Sequence, residues 1–194
     1  MKQDIRIPFL PELSGIDFSS ARDVRKLTRQ RHRHWFGTQD DAWIDEYMDA
    51  IELLFDGGHP EYQAMDTAYH DINHTLQATL CLVELIHNRK LSPAKPDIGA
   101  ADFKRALVAV LFHDIGYLKK ASDTQGTGAK YTHIHERRSC SFVATFLSRR
   151  GWSVEDIRFV QTLIKATGPL ADLGKIDFHS DVERLLAQVV CTAD

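Results

Sequence analysis

Three stretches of this sequence place histidines and aspartates beside apolar residues, where unpaired polar groups are costly. His70 and His74 are four residues apart, His113 and Asp114 are adjacent at the end of an apolar run, and Asp194 ends another such run. Burying one of these groups unpaired costs roughly 2–7 kcal/mol on apolar transfer scales. A divalent metal ion offsets that cost, because imidazole nitrogens and carboxylate oxygens are both good ligands. The pattern therefore predicts a mixed nitrogen and oxygen site for Mn, Fe, Zn, Ni or Mg.

The segments that must position these residues are predicted to be helical. Apolar residues recur at helical spacing, serines stand where helix caps are needed, and no stretch alternates as a strand would. Ser153 and Asp156 match a capping box, and Gly37 follows the first apolar segment as a stop signal. We therefore predict an all-α protein with helices over about residues 20–35, 40–55, 69–88, 103–113, 134–149, 153–166 and 181–194.

Length and composition indicate a single soluble domain. The chain has 194 residues, of which 43% are hydrophobic, and a net charge of −3, which gives no sign of a nucleic-acid-binding surface. No apolar run approaches the ~20 residues that span a bilayer, and the N-terminus lacks a signal-peptide core. Cys81, Cys140 and Cys191 are interpreted as reduced core thiols, which favours a cytoplasmic location. Within the domain, residues 1–60 are assigned to an N-terminal arm with accessory helices, and residues 61–194 to the metal-site core.

The order of the polar residues resembles the HD-domain metal-dependent phosphohydrolases. That family carries the pattern H…HD…D, matched here by His74, His113-Asp114 and Asp194. In its cyclic-nucleotide phosphodiesterase branch, the first sequence motif is Tyr-His-Asn-x-x-His, which is similar to YHDINH at residues 69–74. The resemblance implies an HD-type helical bundle with additional N-terminal helices, in which those four residues bind the metal. It also implies that His70 is the general acid in hydrolysis of a phosphoester, of a nucleotide or cyclic nucleotide, by a metal-activated water.

Physical reasoning supports these implied roles. If residues 69–88 form one helix, His70 and His74 lie on one face with Cβ atoms about 5–6 Å apart. That distance suits donation of a proton to a group held at the metal better than binding of the same ion. Asp114 is expected to bind the ion and to orient the attacking water.

Further residues are candidates for a second ion or for the substrate phosphate. Dinuclear HD enzymes have two more histidines before the last aspartate, and His135 could be the first, but residues 164–167 contain no histidine. One firm metal site is therefore expected, with a second ion only weakly held. Cations suit a phosphate-bearing substrate, and the stretch after the HD pair contains several. The candidate phosphate contacts are Lys120, Lys130 and Arg138.

Two alternatives remain open at this stage. The protein could be a nucleotidase that attacks a phosphomonoester, or a metal- and nucleotide-sensing HD domain without turnover. Neither a membrane nor a nucleic-acid partner is expected, and a homo-oligomer is possible. Because terminal residues usually fray, a metal ligand at Asp194 suggests that the natural chain continues beyond it.

Overall fold

The computed structural model describes residues 15–194, so the first part of the N-terminal arm predicted within residues 1–60 lies outside the described part of the chain. Residues 15–194 form seven α-helices joined by turns, and they contain no β-strand. The prediction of an all-α helical bundle is thus confirmed. The helices are α1 (Ala21–Phe36), α2 (Ala42–Phe55), α3 (Ile72–Lys90), α4 (Ala100–Phe112), α5 (His135–Ser148), α6 (Val154–Lys165) and α7 (Asp181–Ala193).

Most helix ends follow from local capping chemistry. The side chains of Ser20, Ser153 and Ser180 each accept a hydrogen bond from the backbone N–H three residues later, which confirms the prediction that serines cap helices here. Gly37 ends α1 with a left-handed φ of 63° and donates its N–H to the carbonyl of Arg33. This conformation favours glycine because it has no Cβ.

Two helix starts differ from the prediction. α3 begins at Ile72 and not near Tyr69, because the carboxylate of Asp71 accepts the N–H of His74 at 2.9 Å and so caps the helix there. His70 therefore precedes α3, and the prediction that it shares a helical stripe with His74 is wrong. α4 begins earlier than Phe103, at Ala100, because Asp102 lies inside its first turn and accepts the N–H of Gly99.

The central helix of the bundle is α4. Every side chain from Ala106 to Phe112 is buried, and α4 packs against α2, α3, α6 and α7. A helix surrounded on all sides needs an apolar surface all round, which explains the unbroken apolar sequence. As a result, the His113-Asp114 pair that follows α4 lies inside the protein, at 0% and 2% exposure.

The cysteines divide between core and surface. Cys140 is buried, but Cys81 on α3 and Cys191 on α7 are exposed, so the interpretation of all three as core thiols is wrong for two of them.

Of the helices in residues 15–194, none combines the length and the apolar character needed to cross a bilayer.

An ion-pair network fastens the N-terminal helix α1 to α2. Asp41, just before α2, is buried and accepts hydrogen bonds from Arg33 at 2.6 Å and from Arg29 at 3.0 Å. The hydrogen bond from Arg33 outweighs the effect of burial and, with Arg29, lowers the pKa of Asp41 to about 2. A carboxylate with a lowered pKa stabilises the fold above its unfolded pKa and loses that effect as the pH falls.

We expect Asp41→Asn to lower the free energy of unfolding at pH 7 by about 1 to 2 kcal/mol, because the charge-assisted hydrogen bonds to two arginines weaken. This loss of stability should shrink as the pH falls from 3.8, the pKa of Asp41 in the unfolded chain, through about 2, its pKa in the folded protein. Urea denaturation at several pH values measures both effects. Asp40→Asn changes an exposed neighbour and is the matched control. An equal loss for Asp41→Asn at pH 7 and pH 2 would contradict the assignment.

Candidate metal centre

Four polar side chains from three helix ends meet at one point of the bundle. His74 comes from the first turn of α3, His113 and Asp114 follow α4, and Asp194 follows α7. The contacts between α3, α4 and α7 bring these ends together. His74, His113 and Asp114 are buried, while Asp194 is partly exposed. The structure thus places all four predicted metal ligands in one cluster.

The distances within the cluster match the spacing of ligands around one ion. The Nε2 atom of His74 lies 3.3 Å from Nε2 of His113, 3.0 Å from an Asp194 oxygen and 3.4 Å from an Asp114 oxygen. Nε2 of His113 lies 3.1 Å and 3.2 Å from the same two oxygens. Ligand atoms with bonds of about 2.1 Å stand roughly 3.0 to 3.4 Å apart in octahedral or tetrahedral geometry. His74, His113 and Asp194, and likewise His70, His74 and Asp114, therefore have ligand atoms close enough together to hold a divalent ion.

Hydrogen bonds to the backbone orient two of the histidine rings. Nδ1 of His113 lies 2.7 Å from the carbonyl oxygen of Val110, and Nδ1 of His135 lies 2.8 Å from that of Thr132. A carbonyl only accepts, so each Nδ1 donates, and Nε2 of the neutral ring is left with its lone pair. In His113 that lone pair points into the cluster, as metal-binding histidines require.

Without a metal ion, protons hold this cluster together. Hydrogen bonds that His74 donates to the carboxylates of Asp114 and Asp194 raise the pKa of His74 to about 9. Burial opposes a charge on His113, but Asp114 and Asp194 outweigh it and raise its pKa to about 10. Burial likewise opposes a charge on each aspartate, yet the histidines hold both carboxyl pKa values well below their usual range. At neutral pH the two rings are thus cationic and the two carboxylates ionised.

Binding of Zn²⁺ or Mn²⁺ at pH 7 is expected to release about two protons, because a metal ion needs both imidazoles in their neutral form. Fewer protons must leave the two imidazoles as the pH rises toward 9. The affinity for the metal ion should therefore rise from pH 6 to pH 9. Titration calorimetry in two buffers of different ionisation enthalpy counts the protons. His133→Ala, at an exposed histidine, should leave the count unchanged. Binding without proton release would place the ion elsewhere.

A stack of aromatic rings borders the cluster. The ring of Tyr117 stacks against those of His70 and His135, at centroid distances of 4.3 Å and 4.5 Å, and the two histidine rings are themselves 6.2 Å apart. Nδ1 of His70 is 2.8 Å from an oxygen of Asp114, and Nε2 of His135 is 3.7 Å from the other oxygen. Both histidines therefore face Asp114. His70, His74 and Asp114 form a second group of ligand-type atoms that overlaps the first.

The backbone around Asp114 is held by side chains from α5. The buried hydroxyl of Ser139 donates to the carbonyl of His113 and accepts the N–H of Gly116 at 2.9 Å. Arg138 donates to the carbonyls of Gly116 and Leu118 at 2.6 and 2.7 Å. These contacts fix the short 3₁₀ turn over Ile115–Tyr117, and with it the direction of the Asp114 side chain.

The cations proposed as phosphate contacts have other partners. Lys120 pairs with Glu61 at 3.1 Å, Lys130 pairs with Asp123 at 2.6 Å, and Arg138 holds the backbone carbonyls described above. The structure brings His135 to the cluster but places none of these three cations in contact with its ligands.

Sequence reasoning missed the groups that support the ligands. Tyr117 and Ser139 carry no motif, and the carbonyls of Val110 and Thr132 have no side-chain signature. One usable signal exists for Ser139, which is a polar residue on the buried face of α5. Such a residue needs a hydrogen-bond partner.

A comparison with protein-family models gives one match. The model of a family described as Npun_R2479-like matches residues 22–162. The chain belongs to this family. The part that matches the Npun_R2479-like model includes His70, His74, His113, Asp114 and His135, and it ends before α7 and Asp194. Neither a curated protein nor a solved structure matched the chain.

Proposed function

We propose that this protein is a metal-dependent phosphohydrolase that cleaves a phosphoester bond of a nucleotide or cyclic nucleotide. The observation that carries the proposal is the cluster of His74, His113, Asp114 and Asp194, whose ligand atoms have the spacing of one coordination sphere. A divalent ion held there supplies an acidic water molecule and polarises a phosphoryl oxygen. The order of these residues resembles HD-domain phosphohydrolases, which supports the same reaction.

The remaining residues supply proton transfer. Asp114, which is ionised, would accept a hydrogen bond from the attacking water and orient it toward phosphorus, and the proton that the water loses on forming that bond would pass to solvent. As the bond from phosphorus to the leaving oxygen breaks, His70 donates a proton to that oxygen. The contact of Nδ1 of His70 with an oxygen of Asp114 at 2.8 Å orients the ring and leaves Nε2 to face the leaving oxygen. His70 is 32% exposed, so a substrate can reach it.

An exposed aromatic ring beside the cluster favours a substrate with a base. Tyr69 is 66% exposed, and its ring centroid lies 4.8 Å from that of His74. Stacking of a nucleobase on an exposed aromatic side chain stabilises binding by about 1–3 kcal/mol. Tyr69 is therefore the platform that we assign to the base of the substrate.

The proposed function is tested with the purified protein, Mn²⁺ and a panel of phosphate esters. The panel contains cyclic mononucleotides, cyclic dinucleotides, nucleoside monophosphates and the generic substrates p-nitrophenyl phosphate and bis(p-nitrophenyl) phosphate. Hydrolysis that a chelator abolishes would support the proposal, and the ester that reacts separates a phosphodiesterase from a nucleotidase. Metal binding without hydrolysis of any ester would overturn it in favour of a sensing domain.

We expect His70→Ala to keep the metal and to lower kcat by about 100-fold or more, because general acid catalysis contributes about 10²–10⁴-fold. Metal content by elemental analysis and kcat on the reactive ester measure the two effects. The loss should be smaller for an ester with a good leaving group, such as p-nitrophenolate, since that oxygen needs no proton. His133→Ala is the matched control. An equal loss for good and poor leaving groups would contradict the role of His70.

A further inference from the structure

A second cavity lies on the other side of α5 from the metal centre. It has a volume of about 640 Å³, within the range of sites for small organic ligands. Its walls come from the end of α2, the loop that follows it, the Ile115–Gly116 backbone and one face of α5. None of the candidate metal ligands lines it, so it is a separate site.

The floor of this cavity is apolar and aromatic. Phe142 and Phe146 stack with centroids 5.5 Å apart, and Tyr62 meets Phe142 at 5.8 Å. Leu53, which also lines the cavity, is 52% exposed although it is a large apolar residue. An open apolar surface of this kind favours the aromatic or aliphatic body of a ligand.

The rim of the cavity is strongly cationic in a chain whose net charge is negative. Glu61 is the one carboxylate among the lining residues, and it forms an ion pair with Lys120. Arg150 forms an ion pair with Glu46, which lies outside the cavity. The cationic lining residues are Lys120, Arg137, Arg138, Arg149 and Arg150.

Three of these guanidinium groups have no carboxylate partner. Arg138 donates to backbone carbonyls, which leave its charge uncompensated. In the part of the chain that the structure describes, the side chains of Arg137 and Arg149 have no hydrogen-bond or ion-pair partner. Free guanidinium groups match the geometry of phosphate, sulfonate and carboxylate.

We propose that this cavity binds a small amphipathic anion, a molecule with an apolar or aromatic body and one terminal acidic group. The body packs on Phe142 and Phe146, and the acidic group reaches Arg137 and Arg149 at the rim. The inference rests on the lining of this cavity alone and does not depend on hydrolysis at the metal centre.

The test compares two fluorescent probes that share an apolar body. One is 1-anilinonaphthalene-8-sulfonate, and the other is N-phenyl-1-naphthylamine, which lacks the sulfonate. We expect the sulfonate to bind with one saturable site and at least about tenfold more tightly than the neutral probe, and we expect salt to weaken that preference. Circular dichroism must show the native helix content for each protein, because partly unfolded proteins also bind such probes.

Two variants locate the probe. In the double variant Arg137→Gln/Arg149→Gln the sulfonate should bind about tenfold more weakly and the neutral probe as before, because only the charge is removed. Thr145→Trp, at an exposed residue of the cavity wall, should fill the cavity and weaken both probes. Arg158→Gln, an exposed arginine on α6 outside the cavity, is the control.

Three results would overturn the proposal. Equal affinity for the two probes would show an apolar cavity without selectivity for anions. Sulfonate binding unchanged by the double arginine variant would remove the assigned contacts, and binding unchanged by Thr145→Trp would place the probe elsewhere.

Discussion

Replacing Asp114 by alanine is expected to abolish both metal binding and hydrolysis. The carboxylate touches His70, His74 and His113 through one oxygen and faces His135 with the other, so its loss affects four histidines of the site at once. We expect the metal content to fall to background and kcat/KM to fall at least about 1000-fold, because loss of the ion removes the activation of water and of the phosphoryl group together.

Elemental analysis and the reactive ester of the panel measure these two losses. Asp177→Ala removes an exposed carboxylate outside the cluster and should change neither quantity. Asp114→Asn keeps the shape of the side chain, so a loss shared by both Asp114 variants can be attributed to the charge and not to a cavity. Full metal occupancy in Asp114→Ala would disprove the ligand assignment.

Gly116→Ala is expected to destabilise the fold by at least about 3 kcal/mol. A Cβ atom built on Gly116 would lie 1.9 Å from the carbonyl oxygen of His135 and 2.7 Å from its carbonyl carbon. Because both neighbours are backbone atoms at the start of α5, rotation of a side chain cannot relieve the contact. Either α5 or the Ile115–Tyr117 turn must move, and overpacking of this severity exceeds the usual 1–3 kcal/mol.

Denaturant unfolding of Gly116→Ala measures this loss, and metal affinity gives a second measurement. The turn and α5 carry Asp114 and His135, so a shift there should weaken metal binding even in the fraction that folds. Gly174→Ala is the matched control, since its Cβ meets only the flexible side chain of Asp172, at 3.1 Å. A stable Gly116→Ala protein with unchanged metal affinity would show that the close packing here is not needed.

The helices could be predicted from the sequence because their signals are local. Each signal acts within one or two helical turns. Ser153 caps the start of α6 and Gly37 ends α1, and apolar residues at helical spacing mark the turns between such ends. The start of α3 was missed although Asp71, a good capping residue, stands just before it. The spacing of His70 and His74 favours a longer helix, but the cap at Asp71 is the stronger local signal.

The metal centre could be predicted only as a set of residues, not as a geometry. Histidine and aspartate are distinctive in apolar surroundings, which is why His113 and Asp114 could be selected. The stacking of Tyr117 against His70 and His135 depends on where α5 begins relative to α4. Such a contact arises from packing between helices, and no spacing in the sequence reports it.

The cations near the HD pair show the same limit. Their number could be counted from the sequence, and it indicated a binding site for phosphate. The structure divides them, with Lys130 pairing with Asp123 across a turn and Lys120 and Arg138 facing the second cavity. Charge alone does not say on which side of a helix a side chain lies.

The position of Asp194 has a consequence for the order of events during synthesis. It meets His74 across 120 residues of sequence, so the first ligand leaves the ribosome long before the last. Domains form from the N-terminus as the chain emerges, and α1 to α6 can pack while α7 is still unmade. The nascent chain therefore holds an incomplete set of the candidate ligands until α7 docks, and the proposed activity would require that docking.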